Sequence, residues 1–448
     1  MRLLDSLFTT VRMREIFSDA GRLQRMLDFE AALARALARA SVAPQASVAP
    51  IEAHCKSNLF SQDTIAGAAA LAGNLAIPLV RELTAFVAKS DEKAAGFVHF
   101  GATSQDVIDT GLVLQLRDAF DDTEKELARL SLILQRLAET HKETVLAGRT
   151  WMQQASPTTL GLKFAGWLDA VDRHRERFNE TRKRVEVLQF GGAVGTLAAF
   201  GGNGQQVEQA LATELKLASP AIPWHAQRDR FAEAATVYGL LAGTLGKIAR
   251  DISLMSQTEV REFAEPSAPG RGGSSTLPHK RNPVGCSVVL AAAIRVPGLV
   301  STMLSAMVQE HERGLGGWQA EWETLPEICM LTVGALAHLI EVFNGLEIHE
   351  DAMLQNLNVA HGLLMAEAVA MAMAKCIGKM PAHELIERVS HRAIESGRSL
   401  REALLAEQEI TSQLQAAEIE SLLNPRNYTG SAQVMIDRVI SASKKISR

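Results

Sequence analysis

Cysteine is scarce in this chain, with four residues at scattered positions and no Cys-x-x-Cys pair. A secreted domain held by disulfides and a zinc site built from cysteines both need closer, paired spacing, so neither is expected. The amino terminus also lacks the unbroken apolar stretch and the small-residue cleavage site of a signal peptide. The sequence therefore predicts reduced, buried thiols in a soluble, cytoplasmic protein.

A large excess of one charge is lacking too, because the formal net charge of the 448 residues is only −5. A protein whose main partner is nucleic acid is expected to be strongly basic, so that class is excluded. No membrane span is expected, since Arg295 interrupts the apolar run 288–300. An anionic substrate would need a local positive pocket, because the overall field of the protein will not attract it.

Strand signals are almost absent, with two tyrosines and no sustained alternation of β-branched residues between hairpin turns. Helical periodicity is present instead, and long proline-free stretches leave room for long helices. One apolar stripe, with spacings of mostly three, four or seven, consists of Leu112, Leu116, Phe120, Leu127, Leu130, Leu134 and Leu137. The sequence predicts an all-α fold whose centre is a bundle of unusually long helices.

Three polar segments interrupt the helical pattern at distant positions. The first segment is 97–109, the second segment is 147–159 and the third segment is 263–283. Polar interruptions between long helices are where functional residues concentrate. The breaks predict three helical domains, which are an N-terminal domain at 1–108, a central long-helix domain with the third segment at 109–348, and a C-terminal domain at 349–448.

The third segment combines residue types that suit an anion. Its glycines allow backbone conformations closed to other residues, and three hydroxyl side chains follow them. Lys280, Arg281 and Asn282 add two cations and an amide, and Pro283 can begin the next helix. Such a loop at a helix N-terminus favours a carboxylate or a developing oxyanion. A solvated linker is the alternative for the glycines alone, whereas a nucleotide loop is excluded because GxxxxGK[ST] and a preceding strand are absent.

The sequence GSSTLPHKRNP in the third segment resembles the signature loop of the fumarase/aspartase/adenylosuccinate lyase superfamily, usually GSSxMPxKxNP. GATSQD in the first segment and GRTWMQQASPTT in the second are similar to its two other active-site motifs, in the same order. The resemblance covers most of the chain. It implies an all-α fold of three domains, a homotetramer with a central bundle of long helices, and active sites that each combine the three segments from different subunits.

Several site residues are implied by this resemblance. Ser274 matches the serine taken as the catalytic base, and only its place in the motif separates it from Ser275, which is a candidate substrate-binding residue. Lys280 and Asn282 match residues that hold the substrate carboxylate and its enolate-like intermediate. The matching hydrogen-bonding residues in the other two segments are Thr103, Ser104, Thr150 and Gln153. A lysine and loop N–H groups would stabilise the charge that develops when a carbon next to a carboxylate exchanges its proton.

The second segment departs from the superfamily at Trp151, where a histidine is usual. In amine-releasing members that histidine helps to protonate the leaving nitrogen, and an indole has no useful pKa for this task. A carboxylate leaving group needs no such proton, because the pKa of its conjugate acid is about 4. Opening a lactone releases a carboxylate, and the reverse reaction adds one across a double bond.

The chain accordingly resembles the bacterial 3-carboxy-cis,cis-muconate cycloisomerase branch, which the stretch EHERGLGGWQAEWE also favours. This resemblance implies a tricarboxylate substrate from aromatic catabolism and a reaction without metal or cofactor. Trp151 is expected to shape the pocket. Arg313 is a candidate carboxylate-binding residue or, alternatively, a surface ion-pair residue, and His99 beside the first segment is a further candidate.

Two other functions stay open at this point. A lyase acting on a succinyl adduct, similar to adenylosuccinate lyase, is disfavoured by Trp151 and by Asn74, which stands where that branch has a second histidine. A non-catalytic helical scaffold of the same fold is disfavoured by Ser274, Lys280 and Asn282, which all match the motif. Release of fumarate from candidate adducts, or tight tricarboxylate binding without turnover, would distinguish them.

Overall fold

A computed structural model describes residues 3–267, 270, 272–273, 276–277 and 280–446 of the chain. The chain divides into two compact units. The first unit consists of residues 3–127, 174–246 and 288–338, and the second unit consists of the described residues within 128–173, 247–287 and 339–446. The three consecutive domains expected from the sequence stay a prediction, because each unit is assembled from several stretches of chain.

The described residues form twenty α-helices and four short strands. The helices are α1 (Asp5–Phe8), α2 (Val11–Ile16), α3 (Asp19–Arg39), α4 (Val48–His54), α5 (Gln62–Ala72), α6 (Ala76–Ser90), α7 (Glu92–Ala95), α8 (Ser104–Thr140), α9 (Leu160–Val185), α10 (Gly204–Leu215), α11 (Asp229–Met255), α12 (Val284–Ser305), α13 (Gly317–Asn344), α14 (Glu350–Asn358), α15 (Ala366–Ile377), α16 (Lys379–Ser396), α17 (Leu400–Ala406), α18 (Gln408–Thr411), α19 (Ala416–Leu422) and α20 (Ala432–Ile446). The strands are β1 (Val145–Thr150), β2 (Gln153–Thr159), β3 (Phe263–Ala264) and β4 (Glu347–Ile348).

The predicted all-α fold is confirmed, and α8 shows why the periodicity predicted it. Six of the seven residues in its apolar stripe are buried, and Leu137 is half-buried. Burying a leucine side chain is worth about 1.5–3 kcal/mol, so the stripe fixes which face of the helix turns inward. The longest helix after α8, α13, ends at Asn344, directly before Gly345.

Prolines were expected between helices, yet two long helices contain one. Pro297 lies inside α12 and Pro326 inside α13. A proline in a helix leaves the carbonyl four residues earlier without its usual partner. For Pro326 that carbonyl belongs to Trp322, and the Arg22 guanidinium donates to it at 2.8 Å. A long-range hydrogen bond thus replaces the lost helical one, which local sequence patterns cannot reveal.

The core of the first unit includes a cluster of aromatic rings from three helices. Tyr238 on α11 lies 4.9 Å from Phe178 on α9 and 5.9 Å from Phe120 on α8, measured between ring centroids. The Tyr238 hydroxyl is 3.0 Å from that of Thr123, so its polar end is also satisfied. These contacts hold the middle of α8, whose first turn carries the end of the first segment.

The second unit has two apolar clusters. In one, the ring of Phe164 lies 6.2 Å from Phe263 in β3 and 6.3 Å from Phe343 in α13. The other joins the helices from α15 to α19 and includes the buried side chains of Val369, Met373, Ala382, Leu385, Ile386, Val389, Leu400, Leu404, Ile410, Leu414 and Ile419. The first cluster fixes β3, from which the third segment continues.

A β-hairpin in the second segment was not predicted. Strands β1 and β2 pair antiparallel from Val145↔Thr159 to Thr150↔Gln153, with an irregularity after Ala147. The two residues at the tip, Trp151 and Met152, have φ values of 52° and 65°. A two-residue hairpin turn normally uses Asn-Gly or Asp-Gly for such angles, so the sequence carried no turn signal here. Strands β3 and β4 form a second, two-residue antiparallel pair.

Two helices, α12 and α13, are long and apolar enough to cross a membrane when judged by length and composition alone. The expectation that no apolar segment reaches this length was therefore wrong. Most of the apolar window of α13 is buried inside the protein, whereas only 33% of that of α12 is buried. Arg295, the charge within α12, pairs with Glu327 of α13.

The cysteine prediction was correct for three residues and wrong for one. Cys55, Cys286 and Cys329 are free and buried, whereas Cys376 on α15 is free and exposed. Cys376 lies near the end of its helix, where the apolar stripe no longer packs against the unit.

Candidate active site

The sequence-predicted site residues fall in both units. Those in the first unit are His99, Thr103, Ser104 and Arg313, and those in the second unit are Thr150, Trp151, Gln153, Lys280 and Asn282. Ser274 and Ser275 lie outside the residues that the structure describes. Each group is therefore built up within its own unit, and the roles of all these residues stay predictions.

The first segment makes a tight turn before α8. Gly101 has a φ of 73°, and a Cβ atom there would lie 2.1 Å from the ring of Phe200. Only glycine tolerates both the angle and the approach. The turn ends at Ser104, the first residue of α8, so Thr103 and Ser104 lie at a helix N-terminus. Backbone N–H groups and hydroxyls at such a position suit a carboxylate.

Asp106, a fully buried residue on the first turn of α8, fixes this turn. Its carboxylate accepts hydrogen bonds from the backbone N–H groups of Thr103 at 3.0 Å, Gly191 at 3.0 Å and Gly192 at 2.9 Å. Nε2 of His225 lies 2.7 Å from the same carboxylate. One side chain thus joins Thr103 to the glycine-rich stretch between α9 and α10.

Arg313 lies beside the first segment. Its Nε donates to Oε1 of Gln105 at 3.0 Å, and its Nη2 donates to the carbonyl of Ala193 at 3.0 Å. Gln105 follows Ser104 and in turn donates to Asp109 at 3.1 Å. These bonds place the guanidinium next to the first segment, and within the described part of the chain it forms no ion pair of the kind that was the alternative. Its contact with a substrate stays a prediction.

His99 forms a short pair with a buried carboxylate. Its Nδ1 lies 2.6 Å from Oε1 of Glu30, whose side chain is 1% exposed. Burial opposes protonation of the ring, but Glu30 and then Asp106 outweigh it, so the pKa of His99 is raised. The residue has a φ of 54°, a strained angle for any residue with a Cβ. His99 is therefore held, and its other ring nitrogen is left for a further contact.

The second segment exposes its predicted residues at the tip of the hairpin. Thr150 and Gln153 are exposed, and Trp151 is 97% exposed. The hairpin is fixed one residue pair below its tip, because Arg149 donates two hydrogen bonds, at 2.9 and 2.6 Å, to the fully buried Glu262. A fixed hairpin with an exposed apolar tip is typical of a surface that contacts something outside its own unit.

The third segment is closed at its base. The N–H of Asn282 donates to the carbonyl of Gly272 at 2.9 Å, and Gly273 forms an isolated antiparallel bridge with Arg281. The side chain of Arg281 donates to both carboxylate oxygens of Glu347 at 2.7 Å. The backbone at Lys280 and Asn282 is therefore held in place by these bonds, and the side chain of Lys280 is exposed.

The helix N-terminus expected to bind an anion already holds a carboxylate of the protein. Oε2 of Glu265 accepts from the N–H of Gly285 at 2.9 Å, and Oε1 accepts from the N–H of Cys286 at 2.8 Å. These are the second and third residues of α12, where free N–H groups would otherwise attract an anion. The N–H groups of Gly285 and Cys286 are therefore not open to a substrate anion, and the role of Lys280 stays a prediction.

A cleft of about 1140 Å³ lies beside the third segment, wholly within the second unit. Lys280 and Asn282 line it, together with the end of α11 and the start of α14. The volume is ample for a small polycarboxylate. The structure thus brings two of the predicted substrate-binding residues to one cavity.

Comparison with known proteins adds to this geometry. The chain matches the lyase family over residues 8–298 and the adenylosuccinate lyase C-terminus family over residues 362–439. A 3-carboxy-cis,cis-muconate cycloisomerase of Pseudomonas aeruginosa is 54% identical over 440 residues, which cover 98% of this chain and 96% of that protein. The crystal structure of 3-carboxy-cis,cis-muconate lactonizing enzyme from Pseudomonas putida covers 100% of both chains with 50% identity and a TM-score of 0.96. This chain belongs to the lyase family, in its 3-carboxy-cis,cis-muconate cycloisomerase branch.

Membership of this branch confirms the resemblance that the three segments carried, and the chain is an enzyme of the lyase superfamily. A second relative, the 3-carboxy-cis,cis-muconate cycloisomerase of Pseudomonas putida, is 52% identical over 419 residues, which cover 94% of this chain and 99% of that protein.

Sequence reasoning about the lyase motifs missed a buried charge network next to the first segment. Arg228, which is 1% exposed, donates to Asp109 at 2.7 Å and to Glu321 at 3.0 Å, and Trp318 Nε1 donates to Asp109 at 2.9 Å. The guanidinium also lies 5.2 Å from the ring centroid of Trp224. The stretch that carries it, WHAQRDR, follows a proline and clusters an aromatic, a histidine and two arginines, which was an available signal.

The network predicts a pH-dependent stability. Burial raises the pKa of Glu321 from its ordinary value of 4.5 to about 7. Arg228 lowers this pKa, but it faces two carboxylates at once, and the second of them, Asp109, raises it further. The folded protein therefore holds this proton more tightly than the unfolded chain, and the free energy of unfolding contributed by Glu321 falls as the pH rises from about 4.5 to about 7. We expect Glu321→Gln to flatten this decline, measured by urea unfolding across that range.

Glu323→Gln, an exposed carboxylate on the same helix, is the matched control and should leave the pH profile as it is. Identical profiles for the parent and Glu321→Gln would show that Glu321 stays ionised throughout, contrary to this prediction.

Proposed function

We propose that the chain catalyses the metal- and cofactor-free cycloisomerisation of 3-carboxy-cis,cis-muconate to a carboxymuconolactone, in the breakdown of aromatic compounds. The observation that carries the proposal is Trp151. It stands at the exposed hairpin tip between Thr150 and Gln153, where the superfamily has a proton-donating histidine. Because an indole cannot protonate a leaving group, the enzyme suits a substrate whose leaving group is a carboxylate, which needs no proton. The names of the relatives support the same substrate.

The proposed step forms one carbon–oxygen bond and breaks one carbon–carbon π bond. A carboxylate oxygen of the substrate adds to the double bond, and the adjacent carbon takes a proton, so a trianion and a proton give a dianionic lactone. Before protonation the adjacent carbon shares its charge with a neighbouring carboxylate. Lys280 and Asn282 would stabilise that charge, and Ser274 would handle the proton.

The test is an ultraviolet assay of the chelator-treated protein with 3-carboxy-cis,cis-muconate. The parent should remove the diene absorbance and Ser274→Ala should not, whereas Ser275→Ala, at a proposed substrate-binding hydroxyl, should raise KM and keep measurable turnover. No loss of absorbance with the parent would overturn the proposed substrate, and release of fumarate from succinyl adducts would then be measured.

We propose that the enzyme assembles with copies of itself into a homotetramer whose active sites are shared. The support is the apolar surface of α12, where Ile294 is 76% and Leu304 50% exposed although the helix is strongly apolar. A soluble monomer rarely leaves a continuous surface of this kind uncovered. The predicted residues at the exposed hairpin tip would then contact substrate in an active site completed by another copy.

Ile294→Glu is expected to reduce the mass measured by light scattering and the turnover together, because a charge would be buried between copies. Leu71→Glu on α5, where the side chain is 93% exposed, is the control and should change neither. An unchanged mass for Ile294→Glu would contradict the assembly, and so would a monomeric parent that partitions into phosphatidylcholine vesicles.

A further inference from the structure

The cleft beside the third segment contains two cationic side chains for which the described residues offer no ion pair or side-chain hydrogen bond, Arg261 and Lys280. The other charged groups that line it are engaged or belong to a helix end. Arg281 pairs with Glu347, and Glu265 accepts from the first turn of α12. Glu350 accepts from Thr144, and Asp351 lies in the first turn of α14. Among the described residues, the cleft therefore holds two cations without an ion pair, Arg261 and Lys280, and one such carboxylate, Asp351 at the start of α14.

Arg261 also has an unusual backbone. Its φ is 51°, in the left-handed region that favours glycine, and its N–H donates to the carbonyl of Gln257 at 2.8 Å just beyond the end of α11. The side chain is exposed, so no packing inside the unit compensates for this conformation. A residue kept in a strained conformation at the wall of a cleft points to a function of its side chain.

We propose that Arg261 is the specificity-determining residue that binds one carboxylate of a polycarboxylate substrate in this cleft, while Lys280 and Asn282 bind the carboxylate next to the reacting carbon. The inference rests on the proposed function and deepens it. A guanidinium can hold a carboxylate with two parallel hydrogen bonds, which a lysine cannot do. A substrate with three carboxylates needs a cationic contact beyond the reacting end, and Arg261 is placed to supply it.

The first experiment measures binding without turnover. Calorimetry compares benzene-1,2,4-tricarboxylate with benzene-1,2-dicarboxylate as probes for the parent, Arg261→Gln and Arg261→Lys. We expect the parent to bind the tricarboxylate more tightly, Arg261→Gln to lose about 10- to 100-fold in that affinity alone, and Arg261→Lys to recover part of it. Arg250→Gln, an exposed arginine on α11, is the matched control and should bind as the parent does.

The second experiment separates binding from folding. Arg261→Gly should raise KM for 3-carboxy-cis,cis-muconate by about the same factor and change kcat little, because the contact is made before and during the reaction. Its melting temperature should be equal or higher, since glycine adopts the left-handed conformation freely. A purely structural arginine would show the opposite pattern, a lower melting temperature with an unchanged KM.

The outcomes distinguish this inference from the proposed function. A parent that binds the tricarboxylate probe through Arg261 but does not convert 3-carboxy-cis,cis-muconate would retain the inference and reject that substrate. A parent that converts the substrate while Arg261→Gln keeps its KM and probe affinity would reject the inference alone. A parent that binds neither probe would also reject it.

Discussion

Arg228→Met is expected to lower the free energy of unfolding by about 3–5 kcal/mol, because it leaves two buried carboxylates without their cation. Asp109 and Glu321 are each 1% exposed and both contact this guanidinium. Methionine has a similar length and suits an apolar site, so the loss reports the missing charge rather than a cavity. Urea unfolding, followed by circular dichroism, measures the effect.

Arg250→Met on α11, the helix that begins directly after Arg228, is the control, since that side chain is exposed, and it should change the unfolding midpoint little. Adding Glu321→Gln and Asp109→Asn to Arg228→Met should restore part of the stability, because the unpaired charges are removed as well. An Arg228→Met protein as stable as the parent would contradict the account of this network.

Lys280→Met is expected to reduce kcat by about 10²- to 10³-fold while the melting temperature stays the same. This factor is the loss in kcat that usually follows removal of one group that stabilises the charge developing in the transition state. Stability should not change, because Lys280 is exposed and no ion pair joins it to the part of the chain that the structure describes. Steady-state kinetics with 3-carboxy-cis,cis-muconate and a thermal melt measure the two effects.

Lys125→Met, an exposed lysine on α8, serves as the control and should leave both quantities unchanged. The pattern of the defect also matters. A raised KM with an unchanged kcat would mean that Lys280 binds the substrate and its transition state equally, which would remove it from the proposed charge stabilisation.

The fold was predictable from the sequence where the information is local. The stripe from Leu112 to Leu134 predicted the buried face of α8, and the polar segments predicted where the helices stop. The hairpin was missed because Trp151 and Met152 adopt angles that neither residue favours, so a tertiary contact beside the tip, from Arg149 to Glu262, supports the turn. Arg149 and Glu262 lie 113 residues apart, so local sequence patterns do not reveal that they are in contact.

The candidate site divides in the same way. The three motifs identified Thr103, Lys280 and Asn282 by resemblance, but not the residues that hold them in position. Asp106 reaches His225 across 119 residues of sequence, and no spacing rule predicts such a pair. No spacing rule predicts the contact of Glu265 with the first turn of α12 either. Its carboxylate occupies the helix N-terminus at which the sequence predicted a bound anion.

The closed base of the third segment has a consequence for how such an enzyme is modified. Asn282 is tied to Gly272 and Arg281 to Gly273, so the ends of the intervening stretch are joined to each other before the chain enters α12. These pairings fix the point at which the chain enters α12. We therefore expect that substitutions between them which keep Ser274 and Lys280 can alter the choice of substrate without shifting the start of that helix.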